Sequence, residues 1–288
     1  MPYLCLISSV FFVSFVSIFG GFYNRKNDGK KGASSLYNLL IIGTVFIGWA
    51  VLFLTDMQVE WSVLPYAFLF GIFYAVCAIA TIHALKTGPI LLTSLMLQLS
   101  LIAVAIWGFI VGWETPQWWT WLGLALVVVA LWLCLYSGKK DGGRFSLKWL
   151  TYVLIMFFGN AGCSIVQKTQ QRAYDGQYGN FLMFSAMIIA VGVCLVLYLR
   201  DDKTDSKEII KTSLPLPVIA GVGNVLMNLA VMYMATSALS PSLIYPVIAV
   251  GSLIVTTLFS AFVFKEKMQW WQWLGVAVGM LATGVLSI

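Results

Sequence analysis

An all-α membrane protein, with ten transmembrane helices arranged as two inverted five-helix repeats, is the fold class this sequence predicts. Three observations predict it. The 288 residues are 60% hydrophobic and only 10% charged, with a mean hydropathy of +0.91, against ~25% charged and ~45–50% apolar in a soluble domain. The apolar residues fall into ten runs long enough to cross a bilayer. The later part of the chain repeats the earlier part at a fixed offset. A single globular core of this size cannot hide so much apolar surface, which excludes a soluble enzyme, a secreted disulfide scaffold and a disordered chain.

A hydrocarbon core of ~30 Å requires about 20 apolar residues of helix. Read between polar breaks, the runs cover 2–23, 36–54, 62–83, 89–111, 117–137, 147–167, 181–199, 214–235, 241–263 and 269–287. Barrel strands would be ~10 residues of alternating pattern, whereas Leu122–Tyr136 is apolar all round, so the runs are helices. The first run does not read as a signal peptide, because Met1-Pro2-Tyr3 carries no basic residue. The longest breaks, about Arg200–Ser213 and Gln167–Asn180, are too short to fold alone. The chain therefore reads as one membrane domain.

Loop charge sets direction. Of 17 Lys and Arg, 15 fall in odd-numbered loops, from Arg25, Lys26, Lys30 and Lys31 in the first to Lys265 and Lys267 in the ninth. Lys168 and Arg172 are assigned to the sixth loop. Excess Lys and Arg mark cytoplasmic loops, which predicts that both termini are extracytoplasmic in a multi-pass plasma-membrane protein.

The net charge of +6 does not point to nucleic acid, since the basic residues sit in short gaps rather than along one face. Cys5, Cys77, Cys134, Cys163 and Cys194 each lie in an apolar run without a C-x-x-C pair. With His83 as the sole histidine, no metal cluster and no cofactor are expected.

The repeat is legible directly. Gln117-Trp118-Trp119-Thr120-Trp121-Leu122-Gly123 matches Gln269-Trp270-Trp271-Gln272-Trp273-Leu274-Gly275 at an offset of 152, and 15 of 56 aligned positions from 81 to 136 are identical. The unit is five helices, giving repeats over 1–143 and 144–288. Five is odd, so the second unit enters the membrane upside down. Inverted repeats are typical of secondary transporters; a duplication without mechanistic meaning is the alternative.

Each half resembles an EamA-type unit of the drug/metabolite transporter superfamily. The residues carrying the likeness are Ala84-Leu85-Lys86-Thr87-Gly88-Pro89, Glu114 and Leu122-Gly123 in the first half. In the second they are Ala238-Leu239-Ser240-Pro241, Tyr245-Pro246, Lys265-Glu266 and Leu274-Gly275. The resemblance implies a basket of spans 1–4 and 6–9 around a central cavity, with spans 5 and 10 at the periphery. Its substrates would be small metabolites, amino acids or drugs, often exported. Family members commonly keep both termini inside, opposite to what the basic loops predict here.

Intramembrane charges are costly and usually functional, yet no carboxylate falls mid-span. A proton-coupled cation exporter would therefore need another titrating group, and a membrane-embedded enzyme lacks converging catalytic residues. What the spans carry is uncharged polarity at helical spacing: Asn160, Ser164 and Gln167 or Lys168; Asn224 and Asn228; Ser94 and Gln98; Tyr245, Ser252 and Thr256; Phe70, Tyr74, Cys77 and Thr81; Ser14 and Ser17. Hydroxyls often bond their own helix, and amides often bond between helices. Substrate contact and helix-to-helix bonding thus both stand for the asparagines. The candidate site is Asn160, Ser164, Asn224, Asn228 and Gln98, with Tyr74 and Tyr245 as aromatic walls. Glu114 and Glu266 read as helix-start carboxylates, and the tryptophan runs as an interface belt. Gly275 and Gly279 form a small-residue face on span 10. It serves packing within the chain or, alternatively, a homodimer. The partners expected are a small-molecule substrate and the lipid bilayer.

Overall fold

The computed structural model describes residues 2–87, 90–113, 115–135, 147–237, 239–263 and 270–286. It contains eleven α-helices in chain order: α1 (Pro2–Lys26), α2 (Ala33–Thr55), α3 (Leu64–Thr87), α4 (Ile90–Ile110), α5 (Trp118–Leu135), α6 (Leu147–Ala173), α7 (Gly179–Arg200), α8 (Ser206–Ser213), α9 (Pro215–Ala235), α10 (Pro241–Phe262) and α11 (Trp270–Leu286). A 3-10 turn, Trp61–Val63, precedes α3. The described residues contain no strand. Helices are the natural answer to an apolar solvent, because they satisfy every interior backbone group within one segment.

Among the described residues six helical stretches are long and apolar enough to cross a membrane: Pro2–Lys26, Ala33–Thr55, Trp61–Thr81, Leu147–Ala173, Gly179–Arg200 and Pro215–Met234. The other long helices hold shorter apolar stretches, Leu99–Ile110, Trp118–Ala130, Ser242–Thr256 and Trp273–Leu286.

Two sequence expectations need correction. The sixth loop is shorter than its polarity implied, because α6 continues to Ala173. Lys168 and Arg172 are thus helical rather than loop residues, and Lys168 is only 2% exposed. The physical reason is that Gln, Lys and Arg are good helix formers; hydropathy marks where an apolar run ends, not where a helix ends. The seventh loop holds the short helix α8, which buries Ile209 against Tyr23 and Leu36.

The helices interleave across the two halves of the chain. α1 packs on α9 and α10, α3 on α6 and α7, α2 on α7 and α9, α4 on α6 and α10, and α5 on α11. Between apolar helices in lipid, close packing must supply what hydrophobic exclusion supplies in water. The α3–α6 contact shows how. A Cβ at Gly159 would lie 3.1 Å from the Phe73 carbonyl oxygen, and one at Gly162 would lie 2.9 Å from the Phe73 ring. Only the bare glycines let α6 sit this close to α3, which brings Asn160 and Ser164 alongside Phe70 and Tyr74.

The linkers sort onto two ends of the bundle. At one end Lys30 pairs with Glu208 at 2.8 Å and Lys31 with Asp202 at 3.0 Å, while buried Asn27 donates to Ser213 Oγ at 3.1 Å. The α1–α2 linker is thereby joined to the segment around α8. At the other end Tyr174 Oη donates to Ser62 Oγ at 2.8 Å, and the Arg172 guanidinium lies 5.5 Å from the Trp113 ring centre. Thr204 and Lys31 hold the Asp202 carboxyl down to about 2, hydrogen bonds from Thr204 being the larger cause.

Candidate functional site

A cavity of about 210 Å³ opens between the halves, lined by three helices of each. From the first half come Val13 and Val16 of α1, Phe70 and Tyr74 of α3, and Leu97 and Leu101 of α4. From the second come Asn160, Cys163, Ser164 and Gln167 of α6, Asn224, Met227, Asn228 and Val231 of α9, and Tyr245 and Ile248 of α10. Asn160 is the fourteenth residue of the 27-residue α6, so the cavity reaches the middle of the bundle. Its volume exceeds the ~150 Å³ engineered cavity that takes up benzene.

The helical period explains the lining. Asn160, Ser164 and Gln167 are spaced i, i+4, i+7 on α6, and Asn224 and Asn228 are i, i+4 on α9, so each set falls on one face. Six of the seven candidates read from the sequence border this one cavity: Asn160, Ser164, Asn224, Asn228, Tyr74 and Tyr245. The side chain of Gln98 lies outside the described residues, as do those of Ser17 and Ser94.

The polar groups divide into two sets. In the first, partners are already present. Asn160 Nδ2 donates to Ser100 Oγ at 2.7 Å. Gln167 Nε2 donates to Asn228 Oδ1 at 3.4 Å, and Asn228 Nδ2 donates to the Asn224 carbonyl oxygen at 2.9 Å and to Asn224 Oδ1 at 3.1 Å. These bonds tie α6 to α4 and α9, as interhelical amides do in membranes.

In the second set no hydrogen-bond partner occurs among the described residues. It comprises Ser164 Oγ, the Tyr74 and Tyr245 hydroxyls, and Asn224 Nδ2. Tyr245 is 3% exposed. Hydroxyls elsewhere in the bundle behave differently: Ser14 donates to the Val10 carbonyl oxygen at 2.7 Å, Thr81 to Cys77 at 2.7 Å and Thr256 to Ser252 at 2.7 Å. Those three candidates, with Ser252 donating to Ala249 at 3.0 Å, bond within their own helices, and Ser14 also reaches the Ser252 carbonyl oxygen of α10 at 3.3 Å. Buried polar groups are normally satisfied, so unmet capacity gathered at one cavity is capacity for a solute or water.

The sequence reading placed Gln167 on the α6 stripe but left it out of the site. Phe70 belongs to the α3 stripe but not to the predicted site, and Cys163 carries no signal as a lining residue, for nothing in an apolar run distinguishes a wall from a helix contact. Ser100 carries no site signal in the sequence beyond its identity with Ser252 at the repeat offset. His83 stacks on Tyr152 with ring centres 5.0 Å apart. The side chain of Lys86, and Glu114 and Glu266 entirely, lie outside the described residues. Among the described residues no three His, Cys, Asp or Glu side chains gather as a metal site, and Cys5, Cys77, Cys163 and Cys194 are free thiols.

Apolar helices around a small cavity with uncharged polar walls define a multi-pass membrane protein of transporter type. Residues 147–288, 142 of the 288, match the EamA-like transporter family, in agreement with the resemblance carried by the sequence motifs of the second repeat. A solved crystal structure superposes with a TM-score of 0.76 at 12% identity, covering 99% of this chain and 96% of its own; at that identity the likeness concerns the fold. Comparison with curated proteins found no significant match.

Proposed function

We propose that this protein is a secondary transporter that moves a small neutral or zwitterionic solute, an amino acid, metabolite or drug-like molecule, by alternating access. Export is the proposed direction and the plasma membrane the proposed location. The observation that carries the proposal is the cavity between the halves, where Ser164, Tyr74, Tyr245 and Asn224 hold unmet hydrogen-bonding capacity. Among the described residues no Asp, Glu, Lys, Arg or His lines it, which favours an uncharged or internally balanced solute, because an unpaired charge is expensive to bury. The same lining gives no support to acid–base catalysis, so the protein is read as a carrier and not an enzyme.

The inverted repeat is the proposed machine. Setting α8 aside, α1 to α5 correspond to α6, α7, α9, α10 and α11. Exchanging the two sets turns the α1–α9 contact into α6–α3, α1–α10 into α6–α4 and α2–α9 into α7–α3, while α2–α7, α4–α10 and α5–α11 return to themselves. All of these contacts are present. The agreement of these nine contacts, from which α5–α10 and α6–α9 depart, supports two quasi-equivalent units about a two-fold axis, the arrangement that lets one half rock against the other. Pro246, inside α10 and adjacent to Tyr245, removes one helical hydrogen bond and is proposed as a hinge.

Proteoliposomes loaded with a metabolite panel provide the test. The native protein should accelerate flux of at least one neutral or zwitterionic solute. Asn224→Ala at equal reconstitution should lower that flux about ten- to a hundredfold, the worth of ~1–3 kcal/mol of hydrogen bonding. Unchanged flux in Asn224→Ala would remove α9 from the solute path.

A further inference from the structure

The amides around the central cavity are half engaged, and the idle halves indicate which solute the space suits. Asn160 donates through Nδ2 to Ser100 Oγ, and Gln167 through Nε2 to Asn228 Oδ1. The Asn160 Oδ1 and Gln167 Oε1 carbonyls accept from no described residue. Asn224 is the converse: its Oδ1 accepts from Asn228, while its Nδ2 donates to no described residue. α6 therefore offers two acceptors and α9 one donor, with the Tyr74 and Tyr245 hydroxyls able to act either way. Phe70 and Tyr74, one turn apart on α3, have rings inclined by 17° with centres 6.0 Å apart. Together they form an aromatic wall of the same cavity.

From these features we infer that the solute is a neutral, monocyclic heteroaromatic lactam, the chemistry of a pyrimidine base. Its ring lies on the Phe70–Tyr74 wall, its N–H groups donate to Asn160 Oδ1 and Gln167 Oε1, and a ring carbonyl accepts from Asn224 Nδ2. The inference rests on the reading of this cavity as the solute site and narrows it.

Three arguments carry it. The first is charge. Among the described residues no charged side chain lines the cavity, and every lining residue lies at least four residues inside its helix. No helix end therefore directs its dipole there, since that effect fades within the terminal turn. The ammonium and carboxylate of a zwitterion would both be buried without a counter-charge, which is costly; a lactam carries neither. The second is hydrogen bonding. A ring lactam sets N–H beside C=O, the edge that Asn and Gln amides match in base recognition, with stacking on aromatic side chains. The third is size. The cavity of about 210 Å³ exceeds the ~150 Å³ that takes up benzene by about two waters at ~30 Å³ each. That is room for the substituents of one ring and not for an attached sugar.

The test uses the full-length protein in mild detergent, with radiolabelled uracil as the probe and equilibrium dialysis as the readout. Two isomers of equal bulk separate hydrogen bonding from size: 5,6-dimethyluracil keeps both ring N–H groups, and 1,3-dimethyluracil has neither. The first should displace uracil. The second should be at least about tenfold weaker, because it leaves two buried acceptors unmet. Alanine, a small zwitterion, should not compete. Tyr74→Leu should weaken uracil binding about five- to a hundredfold, the span for a base stacked on an aromatic side chain. Tyr74→Phe keeps the ring and should lose about tenfold at most. Absence of uracil binding, equal displacement by the two isomers, displacement by alanine as strong as by 5,6-dimethyluracil, or equal losses in the two Tyr74 variants would each overturn the inference. Proteoliposomes separate it from the carrier reading. Alanine flux without uracil binding would overturn the inference and leave a carrier, whereas uracil binding without flux of uracil would uphold the inference and remove the carrier.

Discussion

Asn160 Nδ2 lies 2.7 Å from Ser100 Oγ, joining α6 of the second half to α4 of the first at the edge of the central cavity. Four residues further along α6, Ser164 faces the same cavity with no hydrogen-bond partner among the described residues. Two residues of one stripe thus have different duties. One links helices, and its neighbour keeps an unused hydroxyl.

That difference is measurable. Asn160→Ala should lower thermal stability in detergent by about 0.6 kcal/mol, with an upper range near 1.7, the span found for interhelical hydrogen bonds in membranes. Ser164→Ala should leave stability unchanged and reduce transport. Equal stability losses in the two variants would erase the distinction.

Asn228 stands at the centre of the amide chain, accepting from Gln167 and donating to Asn224. Asn228→Leu leaves the buried Gln167 amide without its acceptor. A loss of about 1–3 kcal/mol is expected, read as a fall in the unfolding temperature. Transport by the folded fraction should also fall, because Asn224 loses the bond that orients it.

Gly279 is the tight point between α10 and α11. A Cβ there would approach Val250 Cγ1 to 2.6 Å and Ile254 Cδ1 to 3.3 Å. The small-residue face on α11 therefore packs within the chain at this position. Gly279→Leu should destabilise by about 1–3 kcal/mol or more through overpacking. Thermal unfolding with size-exclusion chromatography checks this. A stable variant that changes only its oligomeric state would transfer the face to a dimer contact.

The linker around α8 should respond to acid. The folded Asp202 carboxyl titrates at about 2, below its ordinary value of 3.8. A depressed folded pKa means that the stabilisation is complete above the unfolded value and is lost as pH falls through the folded one. The clasp between Lys31, Asp202 and Thr204 should hold from neutral pH down to about 4 and release between about 4 and 2. Pulsed hydrogen exchange of the α8 amides should show added opening in that window, and Asp202→Asn should remove the pH dependence.

Topology is separable from all of these. With 15 of 17 basic residues in odd loops, a C-terminal reporter that works only outside the cytoplasm should be active. An inactive outside reporter, with an active cytoplasmic one, would reverse the orientation and leave the fold untouched.

Composition and spacing alone established a bundle of apolar helices, because lipid as solvent leaves few other solutions for a chain this apolar. They also put Asn160 with Ser164, and Asn224 with Asn228, on common faces, since helical period is a local property. The repeat at offset 152 was likewise written in residue identities such as Trp118-Trp119 and Trp270-Trp271. Three things required the tertiary structure. The end of α6 at Ala173 was hidden because Lys168 and Arg172 look like loop residues to a hydropathy reading yet favour helix. Which face turned inward was hidden because a helix apolar all round carries no moment to announce its neighbour, so Cys163 resembled any other span residue. The division of the amides was hidden because a hydrogen bond such as Asn160 to Ser100 spans 60 residues, and only the folded chain decides whether an amide meets a partner or an open cavity.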